Sequence, residues 1–196
     1  MARHLLFGLF FLLIFSCKSN DYHLKQDKPI DTTLKFLTYG LPDREQQRAM
    51  NVVAKCYGFH YYPVGNCVIP QSLADSVSKE NQKVNDILEQ RFGKRWRLTF
   101  AAQVDTMQKL QHEVEKLVKK ERYIVKKEEE LNKEDDGLEF LIDPTDRKNI
   151  FTVKVYGWGK LNGQNELMIY YKLTVDLDTK TITKNSSTAE RLYNRS

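Results

Sequence analysis

Apolar positions along the chain change period about two thirds of the way through. Ala49, Met50, Val52, Val53 and Cys56 fall on one helical face, which predicts a helix opening at Pro42-Asp43-Arg44-Glu45 and closing at Gly58. Phe59 to Tyr62 predicts a short strand, with Pro63 to Asn66 as its turn. Pro70 opens a second helical stretch with Ser72 as N-cap; Leu73, Val77, Val84, Ile87, Leu88 and Phe92 carry its stripe to Gly93. A third begins near Arg95 and runs through Trp96, Phe100, Val104, Met107, Leu110, Val114 and Val118. Residues 122–126 fit either its continuation or a strand.

After Asp135-Asp136-Gly137 the period is two. Leu138 to Ile142, then Phe151, Val153 and Val155, then Leu167 to Leu177 alternate as strands; Asn162-Gly163 marks a hairpin between the last two. Thr181 to Lys184 is a short final strand. Helices followed by a meander predict an α+β fold, with N-terminal helices packed on a C-terminal antiparallel sheet of three to four strands. A long helix against a curved sheet would be a cystatin-like arrangement.

The first residues stand apart. Leu5 to Phe15 is an eleven-residue apolar run behind Arg3 and His4, the length of a signal-peptide core and too short to span a bilayer. Ile14-Phe15-Ser16-Cys17 resembles a bacterial lipobox, which implies cleavage before Cys17 and lipidation of its thiol. A small residue beside the cleaved bond and a nucleophilic sulfur suit that chemistry, and several acyl chains would anchor the product stably. Lys18, by the sorting rule for enteric lipoproteins, points to the outer membrane; the periplasmic or surface face stays open. The expected organisation is a leader over 1–16, a lipidated tether over 17–41 with one short ordered piece at Leu34 to Leu37, a single domain over 42–184 and a frayed tail over 185–196.

Removing sixteen of the 196 residues leaves 180, enough for one core. With 31 basic and 26 acidic residues mixed along the chain, the balance gives no nucleic-acid signal. Cys56 and Cys67 remain once Cys17 carries lipid. In an oxidising envelope they read as a disulfide, worth about 3 kcal/mol for a loop of this length; two independent thiols are the alternative. Residues 109–136 hold eight basic and nine acidic side chains, the pattern of a solvated helix face.

Asn81, Leu88, Arg91, Gly93, Lys94, Trp96, Phe100 and Asp105, with Tyr57-Gly58 and Cys67, give residues 50–105 a loose resemblance to the uncharacterised FEKYY-domain proteins of Bacteroidota. The letters FEKYY do not occur; Phe100-Ala101-Ala102 stands in their place. The resemblance implies no activity.

Three constellations could bind something. Tyr61 and Tyr62, beside Tyr57, Phe59 and His60, form either an aromatic contact surface or a core-facing strand, and the core reading is preferred. Arg95, with Arg91, Lys94 and Arg97 around Trp96, could meet phosphates or acidic glycans, or simply cap a helix end; capping is preferred. Trp158, between Gly157 and Gly159, could stack on a sugar or a partner, or turn inward at a bulge; both readings stand. No GxSxG, HExxH, P-loop or GxGxxG occurs, so no catalytic residue, metal site or cofactor is assigned. The expected function is a membrane-anchored, non-catalytic binding or assembly module of the bacterial envelope, with an envelope protein or a glycan as partner. The alternative is an envelope hydrolase using carboxylates or His60.

Overall fold

A computed structural model describes residues 34–41, 43–161 and 163–193. Cys17, the lipobox and the tether up to residue 33 lie outside the described residues. The fold class is α+β, as the change of period implies.

Strand β1 (Leu34–Tyr39), helix α1 (Arg44–Tyr57) and strand β2 (Phe59–Gly65) form a crossover unit in which β1 and β2 pair in parallel. Helix α1 starts where Asp43 Oδ1 accepts from the Glu45 and Gln46 amides at 2.9 and 3.0 Å. It stops at Gly58, whose φ of 77° few other residues tolerate. The tether reading is therefore corrected at its end. The ordered piece is a whole strand, because alternate β1 residues pack on the core: Phe36 meets Phe59 edge-on at 5.0 Å and Trp96 at 6.3 Å. Likewise Pro63 to Gly65, read as a turn, continue β2 beside Thr38 and Tyr39.

Helices α2 (Gln71–Phe92), α3 (Trp96–Val118) and α4 (Arg122–Asn132) follow. Pro70 rather than Ser72 is the N-cap of α2. Residues 122–126 are helical. The chain breaks at Glu121, whose extended backbone (ψ 128°) redirects it without ending the apolar stripe, since Val118, Ile124 and Leu131 share one core.

The second sheet runs β3 (Glu139–Pro144), β4 (Ile150–Leu161), β5 (Gln164–Asp176) and β6 (Thr181–Ser186), all antiparallel. The hairpin expected at Asn162-Gly163 joins β4 to β5, with Leu161 opposite Gln164 and Gly163 at φ 78°. The stretch read as a frayed tail instead carries β7 (Glu190–Arg191), which pairs with Ile169 and Met168 of β5. Phe140, Ile142, Phe151, Val153, Val155, Leu173 and Val175 turn to one face and bury against α1, α3 and α4. More than one helix thus covers the sheet, and a crossover unit sits beside it.

The expected Cys56–Cys67 bridge is absent; both thiols are free. Cys56 lies near the end of α1, beside the start of β2, with its thiol 3.7 Å from the Val52 carbonyl. Cys67 lies past the far end of β2. Seven extended residues span roughly 20 Å, far beyond the Cα separation of a disulfide.

Asn81 of α2 protects the outer edge of β1. Its side-chain amide accepts from the Leu37 N–H and donates to the Leu37 C=O, both at 2.8 Å, as a neighbouring strand would. Asn81→Leu leaves both groups unpaired. We expect a loss of about 1–3 kcal/mol, read as a lower urea midpoint at unchanged slope.

Candidate functional site

Among the clefts of the described residues, one of about 830 Å³ opens where α1 meets the sheet. Helix α1 contributes Arg44, Glu45, Gln47, Arg48 and Asn51; α3 contributes Glu115; the sheet and the residue before it contribute Leu138, Glu139, Phe140, Tyr156, Trp158 and Leu167, and Tyr193 flanks one side.

The aromatic end of this cleft comes from an irregularity that the sequence conceals. Opposite Val155 stands Tyr171, but opposite Tyr156 stands Ile169, so Tyr170 is an extra residue in β5. Leu167 to Leu177 alternate in the sequence as if one face were apolar throughout. The bulge splits them. Leu173 and Val175 pair with Val153 and Phe151 on the core face. Leu167 and Ile169 pair with Trp158 and Tyr156 on the outer face. An apolar patch therefore forms on the side of the sheet that otherwise carries Thr152, Lys154, Lys172 and Thr174.

Trp158 is 51% exposed. Its two glycines do not turn it inward; they let its strand pack closely. A Cβ on Gly157 would lie 2.6 Å from the Gly137 carbonyl oxygen, and one on Gly159 would strike the Tyr170 hydroxyl. The backbone of Trp158 is held at both polar groups: its N–H donates to Asp136 Oδ2 at 2.6 Å, and its carbonyl accepts from Tyr170 Oη at 2.8 Å. Beneath, the Lys127 ammonium sits 4.9 Å from the Tyr170 ring centre. The indole is thus presented from a fixed backbone.

The polar end is a chain of ion pairs. Arg44 meets Glu139 at 2.6 Å, and Tyr156 Oη donates to the other Glu139 oxygen at 3.3 Å. Burial, reinforced by the Glu139 charge, pushes the Tyr156 phenol up. Arg48 donates to the Phe140 carbonyl at 2.5 Å and to Glu115 at 3.3 Å, and Lys119 meets Glu115 at 2.8 Å. Burial works to raise the Glu115 carboxyl, but the hydrogen bonds and charges of Lys119 and Arg48 outweigh it and hold it low. Glu115 is consequently ionised near neutrality and holds no proton to give as a general acid.

The other sequence candidates lie elsewhere. Tyr61 is half-buried against Phe36 and Phe59, and burial pushes its phenol up to about 12. Tyr62 is exposed under the Lys35 ammonium, 5.3 Å from its ring centre. Arg95 is exposed at the N-cap of α3, while Trp96 beside it is 6% exposed within the aromatic core. None of Tyr61, Tyr62 and Arg95 lines the cleft with Trp158. His60 lies outside it as well, and among the described residues no hydrogen bond joins it to a carboxylate. Sequence reasoning found Trp158, in the run Tyr156 to Gly159, but missed Arg44, Arg48 and Glu139, which only the fold brings beside it. Two cavities flank the β3–β4 turn. One of about 220 Å³ lies against α3, largely apolar, with Gln103 Oε1 buried and unpartnered in its wall. The other lies beside Cys56.

Among the described residues no group of three or more His, Cys, Asp or Glu could hold a metal ion, and no helix is long and apolar enough to cross a membrane. No family model, curated protein or solved structure matches the chain. The functional reading therefore rests on sequence and geometry.

Gly157→Ala forces a Cβ against backbone, which cannot rotate away. We expect a loss of about 1–3 kcal/mol in thermal or chemical unfolding. For Glu115 the folded pKa lies below the unfolded one, so its stabilisation is full above the unfolded value and fades as pH falls through the folded value. Glu115→Gln is expected to be less stable than the natural chain at pH 7, with the gap narrowing from about pH 5 downward in acid-titrated urea melts.

Proposed function

We propose that the chain is a lipoprotein of the bacterial envelope, cut before Cys17 and anchored there by lipid, whose folded domain is a non-catalytic binding module. The lipobox Ile14-Phe15-Ser16-Cys17 supports the anchor. Lys18 favours the outer membrane as its destination.

The observation that carries the binding reading is Trp158, half exposed on a backbone fixed by Asp136 and Tyr170 at the mouth of a polar cleft. Exposing an indole forgoes the stabilisation of burying it, and the glycines and hydrogen bonds around it keep it in place. Such an anchor loses little conformational freedom on binding, which is how aromatic side chains dominate recognition surfaces. Glu115 is paired with Arg48 and Lys119, and Glu139 with Arg44 and Tyr156, so these two carboxylates serve as hydrogen-bonding groups, while Glu45 in the same lining is exposed.

Intact-mass measurement on the native protein tests the anchor. The expected species begins at Cys17 and carries added acyl mass, and Cys17→Ser leaves the membrane fraction. A membrane-associated chain that keeps residues 1–16 without acyl mass would overturn it. For the module, a photo-crosslinker at Tyr193 should capture an envelope component, and Trp158→Ala should abolish that capture in a chain that still unfolds cooperatively. Capture undiminished by Trp158→Ala would remove the cleft from the reading.

A further inference from the structure

The chemistry of the cleft narrows what it can take. Its aromatic end offers a flat, half-exposed ring, Trp158, with Tyr156 two residues away on the same face of β4. Its polar end offers planar groups: the solvent-facing Arg44 guanidinium on Glu139, and the part-buried Arg48 guanidinium shared between Glu115 and the Phe140 carbonyl. With Glu45 in the lining and Lys119 on Glu115, three cations face three carboxylates, so the cleft carries no net formal charge. A strongly acidic ligand would meet Glu45, Glu115 and Glu139 beside the two arginines, and a strongly basic one would meet Arg44 and Arg48 beside the carboxylates. An apolar ligand would strip water from fixed charges and give nothing back. What fits is a ligand with no net charge that has apolar faces and many hydroxyl edges. The face stacks on the indole, and the hydroxyls exchange hydrogen bonds with groups already oriented.

We infer that the cleft beside Trp158 binds a neutral saccharide chain, one sugar ring stacking on Trp158 and neighbouring hydroxyls bonding Glu139 and Arg44. This deepens the binding-module reading and rests on it. The volume of about 830 Å³ lies within the roughly 300–1,000 Å³ of small-ligand sites. Tyr193, which flanks the cleft, is 71% exposed, so a chain can extend past it into solvent.

The two tryptophans make the test direct. Trp96 is buried and Trp158 exposed, so acrylamide quenching of the full chain reports mainly on Trp158. The probes are maltohexaose, mannohexaose and hexa-N-acetylchitohexaose, with hexagalacturonate as the acidic control. We expect at least one neutral hexasaccharide to shield the indole. Trp158→Ala should weaken its binding, followed by calorimetry, by about tenfold, while Trp158→Tyr keeps most of it. Unchanged Trp96 emission shows that each variant is folded. Shielding by hexagalacturonate alone, or neutral binding that Trp158→Ala leaves intact, would overturn the inference. No shielding by any probe, with crosslinking at Tyr193 still capturing a protein in a Trp158-dependent way, would overturn the saccharide and leave the binding module standing. Failure of both would overturn both.

Discussion

A sheet edge that faces helices must satisfy its backbone without another strand, and that requirement governs how this molecule is assembled. On the open side of β3, Phe140 and Ile142 turn their carbonyls outward. Arg48 of α1 donates to the first at 2.5 Å, and Gln111 of α3 donates to the second at 3.0 Å. Gln111 is almost fully buried, so its amide has no alternative partner in water. The two helices are tied to each other at the same place, since Arg48 also reaches Glu115 on α3. Lys119 completes the junction, on Glu115 and 5.3 Å from the Phe140 ring centre. Asn81 does for β1 what Arg48 and Gln111 do for β3.

From that junction the cleft follows. With Arg48 fixed on Phe140, Arg44 lies one helical turn earlier on the same side of α1 and meets Glu139 at the outer face of β3. Beyond it the sheet runs to Tyr156 and Trp158. A charged helix face and an aromatic sheet face are thus joined at one strand edge. On the other side of α1, Tyr57 leads into the aromatic core, where it lies 5.4 Å from Phe100 and 4.8 Å from Phe92 between ring centres.

Much of this was legible in the residues. Helical spacing from Leu73 to Phe92 and from Trp96 to Val118, period two after Gly137, and the Asn162-Gly163 turn are local signals, and they yield the α+β class. What stayed hidden is non-local. Leu34 to Tyr39 pairs in parallel with residues some twenty-five positions later, across a helix, and a parallel pair has no turn to announce it. The short β7 depends in the same way on a partner strand already in place. The disulfide expectation came from compartment and spacing, which say nothing of direction; an extended β2 between the two cysteines decides it. At the site, Trp158 was visible through its glycines. Its neighbours on α1 were not, because nothing in Arg44 or Arg48 distinguishes them from surface charge until the edge of β3 is beside them.

Tyr170 is a single residue, yet it acts as a change of parity. Before it, odd-numbered positions of β5 face outward; after it, they face the core. One unbroken alternation of apolar letters therefore encodes two surfaces, an inner one that must stay close-packed and an outer one free to vary. Substitutions at Leu167 can reshape the outer surface while Leu173 and Val175 continue to fill the interior. An insertion of one codon is enough to turn part of a core strand into ground on which new recognition can evolve.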